Sequence, residues 1–188
     1  MQSMRRYILS GGPHAGKSTL LKVLEAEFPD AYFIPEPATE VITRELAKQQ
    51  VRSDYVPKVP WYDYKLFAPL VFEEAVRLEQ NIPLETETIF QDRSLIDTIA
   101  YLRLNHITDY QDETWKLANN MGYTAVFFCE PVGSHAITEV RRENSSEAKD
   151  IHNSLLETYR DSRLPLIDLP AIDVSQRVEM ISKYMQSL

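Results

Sequence analysis

Eight consecutive residues, Gly11-Gly12-Pro13-His14-Ala15-Gly16-Lys17-Ser18, carry the spacing G-x4-G-K-[S/T]. Each residue type has a task in holding phosphate. Gly11 and Gly16 let the backbone close around phosphate oxygens with no Cβ in the way. The loop N–H groups and the positive end of a following helix then converge on the anion. Lys17 can reach the β- and γ-phosphates, and the Ser18 hydroxyl can ligate Mg²⁺. Pro13 and His14 fall where such a loop contributes backbone, so His14 is given no side-chain role. The stretch expected to contact nucleotide is Gly11, Gly12, Pro13, His14, Ala15, Gly16, Lys17, Ser18 and Thr19.

Charged residues recur at three other points where an apolar run ends. Glu36 lies between Pro35 and Pro37 after Ala31-Tyr32-Phe33-Ile34. Pro37 disfavours helix at Glu36 and holds it extended. Its carboxylate could accept the proton of an attacking hydroxyl, hold a substrate sugar, or be a surface acid beside a turn. Asp92-Arg93 follows Thr88-Ile89-Phe90. Asp92 could hold Mg²⁺ directly or through water. Arg93 could clamp a phosphoryl or substrate oxygen with its fork of donors, or the pair could form an ordinary salt bridge. Glu130 follows a third run that ends at Cys129. Arg141-Arg142 sits in a polar piece, where it could close over a nucleotide and neutralise the moving phosphoryl group, or form a solvated face. Among Trp61, Tyr62, Tyr64, Phe67 and Phe72, Trp61 is the candidate to stack on a substrate ring, whereas Phe67 and Phe72 read as core.

These residues need a scaffold, and the chain supplies alternating elements. Tyr7-Ile8-Leu9 reads as a strand, and Leu20, Leu21, Leu24 and Phe28 repeat as on one helix face. Strand, loop and helix therefore flank the glycine motif in the order that a phosphate-binding P-loop requires. Further on, a strand at Ala31–Ile34, a helix over 38–50 and a loop over 51–60 are expected. A helical stretch runs from Trp61 to Gln80, with Pro69 expected to kink it. A strand at Thr88–Phe90 leads to a helix that Ser94 can cap. A helix over 111–121, a strand at Tyr123–Cys129, helical residues over 134–163, a strand at Leu166–Leu169 and a helix at Gln176–Gln186 complete the reading. Five strands alternating with helices predict an α/β fold with a parallel sheet covered on both faces. Ligands gather at the carboxyl ends of such strands, so Glu36, Asp92-Arg93 and Glu130 should face the P-loop.

Composition narrows the function. A chain of 188 residues, 44% hydrophobic and 26% charged, is expected to form one domain spanning 1–188, with a lid segment near 134–150. The excess of 28 Asp+Glu over 20 Lys+Arg argues against a nucleic-acid platform. No apolar run approaches the roughly 20 residues of a membrane span. The single Cys129, in an apolar run, reads as a buried free thiol, and with no room for a signal peptide the expected compartment is the cytoplasm.

Taken in order, G-G-P-H-A-G-K-S, P-E-P-A-T-E, W-Y-D, F-Q-D-R-S-L-I-D-T-I-A-Y, F-F-C-E-P and V-R-R-E-N cover almost the whole chain. They resemble the domain shared by bacterial nicotinamide-riboside kinases and a broad set of predicted ATPases of the AAA type. Glu36-Pro37 and Asp92-Arg93-Ser94 are similar to the E-P and [D/E]-R-S motifs of deoxyribonucleoside kinases, and thymidylate kinases are similar more distantly. The resemblance implies a P-loop NTPase of three α/β/α layers, whose five-stranded parallel sheet has the nucleoside-kinase-like order 2-3-1-4-5. It makes Glu36 the counterpart of a general base, Arg93 of a strand-end arginine near the acceptor oxygen, and Arg141 and Arg142 of lid arginines. Asp97, one helical turn beyond Arg93, matches a family pattern and could orient that arginine.

The expected activity is therefore ATP-dependent and Mg²⁺-requiring phosphotransfer to a small hydroxyl-bearing molecule, a nucleoside or a relative such as nicotinamide riboside. The expected catalytic set is Lys17, Glu36, Arg93, Arg141 and Arg142. Glu36, Trp61 and Arg93 would bind substrate, and Ser18 and Asp92 would hold metal. Three competitors remain: a nucleoside monophosphate kinase, an acceptor-free hydrolase, and a nucleotide-dependent switch acting through a protein partner.

Overall fold

In the computed structural model, residues 4–132 and 145–188 are described. Five strands, β1 (Arg5–Ser10), β2 (Tyr32–Ile34), β3 (Thr88–Asp92), β4 (Ala125–Cys129) and β5 (Leu166–Leu169), form one parallel sheet in the order β2-β3-β1-β4-β5. The order that the family resemblance implies is the order found. β1 lies at the centre, paired with β3 from Arg5↔Thr88 to Leu9↔Asp92 and with β4 from Tyr7↔Ala125 to Ser10↔Phe128. Both faces of the sheet are covered, so its inner strands are apolar on successive residues rather than alternate ones. β4, with the sequence AVFFC, is buried at all five positions.

The helices are α1 (Lys17–Glu27), α2 (Pro37–Val51), α3 (Tyr64–Gln80), α4 (Leu95–Leu104), α5 (Gln111–Asn120), α6 (Ser145–Ser162) and α7 (Val174–Gln186). α1 and α7 cover one face. There Leu20, Leu24, Val178 and Ile181 pack with Tyr7, Leu9, Phe90 and Phe127. On the other face Leu95, Ile96, Leu155 and Tyr159 pack against Ile8, Val126 and Phe128. A smaller cluster of Val41, Ile42, Val59, Phe67 and Val71 joins α2 to α3 and forms one side of the cleft described below.

Element boundaries shift where local chemistry decides them. α3 starts at Tyr64 and not at Trp61, because the Asp63 side chain accepts the Lys65 N–H at 2.9 Å and caps the helix there. Trp61 therefore sits in the preceding turn. Pro69 lies within α3, which continues past it to Gln80. α2 begins at Pro37, the first helical position, where a missing N–H costs nothing. β3 runs two residues past Phe90, since Gln91 and Asp92 continue the pairing with Ile8 and Leu9. Ser94 and Asp97 form a capping box that starts α4. Arg141, Arg142 and most of the segment expected to form a lid lie outside the described residues. No helix of the described residues is long and apolar enough to cross a membrane.

Candidate active site

The glycine motif leaves β1 and enters α1 through a loop whose path needs glycine at two positions. Gly11 has φ 127° and Gly16 φ 77°. A Cβ on Gly11 would stand 2.3 Å from the Cys129 carbonyl oxygen, so the loop lies flat against the end of β4. A Cβ on Gly12 would come within 2.8 Å of His152 Cβ, which records the close passage of α6. His14 is buried with φ 61°. Gly16 caps α1 in the left-handed region, no side chain caps the helix, and its first turn carries no acid. The positive end of α1 is thus left for an external anion.

Lys17 is buried, and its Nζ donates to the Gly11 and Gly12 carbonyls at 3.0 Å each. Burial, with the nearby Arg93 charge, lowers its ammonium pKa to about 8, against partial opposition from Asp92 and Glu36. Ser18 and Thr19 are exposed on the first turn of α1.

Three strand ends converge beside this loop. Glu36 adopts the extended conformation expected of a residue before proline, with φ −65° and ψ 115°. Its Oε1 accepts from Arg93 Nε at 2.6 Å and its Oε2 from the Thr39 hydroxyl at 2.7 Å. Burial would raise the Glu36 pKa, but Arg93, Lys17 and the Thr39 bond outweigh it and hold the carboxyl at about 2. Arg93 has φ 69°, a left-handed conformation fixed by donation of its N–H to the Leu9 carbonyl and by a bond from Gln91 Nε2 to its own carbonyl. Its Nη1 donates to Asp97 Oδ1 at 3.1 Å, so Asp97 orients the guanidinium one turn into α4. Asp97 is itself held by Ser10 Oγ at 2.6 Å, by the Ser94 N–H at 2.8 Å and by the Tyr159 hydroxyl.

Asp92 is buried, and its Oδ1 has no hydrogen-bond partner among the described residues. Burial, then the negative charge of Glu36, raises its pKa to about 6, while Lys17 and Arg93 pull the other way. A buried carboxylate oxygen left unpaired beside the phosphate loop fits a Mg²⁺ site, directly or through water. The described residues contain no group of three or more His, Cys, Asp and Glu that could hold a metal alone. Glu130 lies on the far side of the loop, its carboxylate 3.5 Å from His152 Nε2. His152 Nδ1 in turn accepts the Gly12 N–H at 3.3 Å. Cys129 is a buried free thiol whose pKa burial raises to about 11.

A cleft adjoins Lys17, Glu36 and Arg93. Ile42, Phe67 and Val71 line one side, and Tyr64 and Tyr101 stack on each other at 6.4 Å. The Arg93 guanidinium lies 5.5 Å from the Tyr101 ring centre. Burial pushes the Tyr64 phenol pKa up, so it stays neutral. The ring expected at this cleft from sequence was that of Trp61. Trp61 is partly buried against the cluster that holds Val59 and Phe67 and meets Tyr62 edge-on, and the rings that line the cleft itself are Tyr64, Phe67 and Tyr101. Phe67 lines the cleft while also packing in the core. Tyr64 belongs to the aromatic group read from the sequence, whereas Tyr101, among aliphatic residues on α4, carries no signal in its spacing.

A five-stranded parallel sheet in this order, with a glycine loop between its central strand and first helix, defines a P-loop NTPase of the nucleoside-kinase-like topology. A family model described as an AAA domain (AAA_28) matches residues 6–177, and the chain belongs to that family. No curated protein matches the sequence. Among solved structures the chain is similar to the thymidylate kinase of Candida albicans, with a TM-score of 0.65 and 16% identity over 98% of this chain and 92% of that one. At that identity the likeness concerns the fold.

Proposed function

We propose that the protein is a small-molecule kinase that moves the γ-phosphoryl group of ATP to a hydroxyl of a neutral, ring-bearing acceptor such as a nucleoside or a nicotinamide-riboside-like compound. The observation that carries this reading is the Glu36–Arg93 pair at 2.6 Å, set where the aromatic cleft opens toward Lys17. A hydrolase or a switch needs no second cleft beside its phosphate loop.

The P-loop amides from Gly11 to Thr19 and the Lys17 ammonium hold the donor phosphates. Ser18 and Asp92 hold Mg²⁺, which when bound neutralises charge on the phosphate oxygens. Glu36 receives the acceptor hydroxyl and points its oxygen at the γ-phosphorus. A carboxylate with a pKa of about 2 is a weak base, so its main contribution is orientation, with proton acceptance late in transfer. Arg93 shares charge with the transferring group, a role that the resemblance extends to Arg141 and Arg142, which lie outside the described residues. Positioning and electrostatics of this kind account for most catalysis of phosphoryl transfer, and no covalent intermediate is required.

The nucleoside monophosphate reading is less favoured. Among the described residues Arg93 and Lys17 are the cationic side chains that line the cleft, and Glu36 and Asp97 already engage Arg93. An acceptor phosphate would have to compete with both carboxylates.

The test is transfer from γ-labelled ATP with Mg²⁺ to a panel of nucleosides, nucleoside monophosphates and nicotinamide riboside, with phospho-ester separated from free phosphate. Labelled ester from one acceptor class, lost in Glu36→Ala, supports the kinase and names its substrate. Free phosphate alone, or ATP binding without turnover, overturns it in favour of the hydrolase or the switch.

A further inference from the structure

Arg177 on α7 is 2% exposed and ranks among the largest fully buried side chains. Among the described residues, no carboxylate lies within ion-pair distance of it. Its three donor nitrogens are spent on three backbone carbonyls instead. Nε donates to Pro170 at 2.8 Å, Nη1 to Ala15 at 2.6 Å and Nη2 to Glu130 at 2.7 Å. These carbonyls belong to the turn after β5, the phosphate loop and the residue after β4. A buried cation satisfied by carbonyl dipoles alone keeps a net charge that its surroundings do not cancel.

The contact at Ala15 has a directional consequence. The peptide bonds of the described residues are trans, and in a trans peptide the C=O and the next N–H point opposite ways. Drawing the Ala15 carbonyl back onto Arg177 therefore turns the Gly16 N–H forward, toward the phosphate side of the loop. The position a Cβ of Gly16 would take is 3.6 Å from Arg177 Nη1, so the guanidinium lies directly behind this peptide.

We infer that Arg177 is a positioning residue for the donor phosphates: it aims the Gly16 N–H at the anion and places an uncancelled positive charge behind the loop. The inference rests on the donor half of the kinase reading and is independent of the acceptor. Arg177→Lys keeps the charge but loses the three-pronged fork, and Arg177→Met loses both.

The experiment follows the Gly16 amide and the Arg177 Nε–H by NMR as pyrophosphate and then ATP are added, well below the melting temperature, with affinities measured by calorimetry. In the wild type both signals should move on addition of pyrophosphate. Arg177→Met should weaken ATP binding about tenfold to a hundredfold, and Arg177→Lys by a smaller factor, each with a reduced shift at Gly16. A lower melting temperature with wild-type affinity and a wild-type Gly16 shift in either variant overturns the inference, leaving Arg177 a structural pin. If neither variant folds, the wild-type titration decides, and a silent Arg177 signal overturns the inference. Binding of neither pyrophosphate nor ATP to the wild type would instead remove the donor-site reading itself. Failure to phosphorylate any acceptor would leave the Arg177 inference intact.

Discussion

Glu36 and Arg93 are 57 residues apart in the chain, yet Arg93 Nε and Glu36 Oε1 meet at 2.6 Å where β2 and β3 end side by side. The parallel pairing of those strands delivers both residues to the same sheet edge, and Asp97 holds the guanidinium from behind. In the proposed reaction the acceptor hydroxyl reaches this pair first. Glu36→Gln should lower transfer by about a hundredfold or more while ATP affinity stays within about threefold. Equal loss of both, measured by steady-state transfer and by calorimetry, would contradict a role at the acceptor.

Asp92 gives a stability prediction with a definite sign. Its pKa in the fold is raised to about 6, first by burial and then by Glu36, against about 3.9 in an unfolded chain. Its ionised form therefore costs stability above pH 6, and the cost fades as pH falls toward 4. Asp92→Asn should stabilise the ligand-free protein at pH 7.5 by an amount on the order of 3 kcal/mol, read as a higher melting temperature, and lower Mg²⁺-dependent transfer. An unchanged or lower melting temperature at that pH would count against the assignment.

Proton linkage to donor binding separates Lys17 from Asp92. Burial lowers the Lys17 pKa to about 8, and triphosphate oxygens would raise it again. ATP binding near pH 8.5 should be accompanied by proton uptake, and near pH 6.5 by little from this group. Calorimetry in buffers of different ionisation enthalpy reads the number directly. Proton release at the higher pH would contradict the placement of Lys17 on the phosphates.

The glycines should tolerate nothing larger. Gly11→Ala forces a side chain into the Cys129 carbonyl at 2.3 Å, in a backbone region that L residues avoid. A loss of at least about 3 kcal/mol, or failure to fold, is expected from denaturant melts. Gly12→Ala meets His152 Cβ at 2.8 Å and should loosen α6 with a milder loss. A Gly11→Ala protein as stable as the wild type would refute the loop path.

The cleft can be filled without touching the donor. Ala38 lines it from the first turn of α2 and is only half-buried. Ala38→Trp should raise the acceptor KM about tenfold or more and leave ATP affinity unchanged. Unaltered acceptor kinetics would place the acceptor elsewhere.

Much of the scaffold was legible because local pattern and backbone logic coincide in it. The glycine spacing, the apolar runs of β1 and β4 and the proline that opens α2 each fix their own conformation. Glu36, Asp92 and Arg93 could be expected together because parallel strands end on one edge. Tyr101, His152 and Arg177 could not. Each lies on a helix whose periodicity marks it as an ordinary helical residue, and only the docking of α4, α6 and α7 brings it to the site. Arg177, in the stretch Ser175-Gln176-Arg177, looks like a solvent-facing position until α7 is packed against the sheet.

The central place of β1 also sets an order of assembly. Its partners arrive late: Thr88 for Arg5, then Ala125 for Tyr7, and the guanidinium behind Ala15 comes 162 residues after it. During synthesis the glycine motif leaves the ribosome among the first pieces of the fold and is completed among the last. A nascent chain that ends near Gln80 carries the whole motif but lacks β3, β4, α6 and the Arg177 guanidinium that hold it. Contacts of such long sequence separation make folding slow, and they delay nucleotide capture until nearly all of the fold is in place.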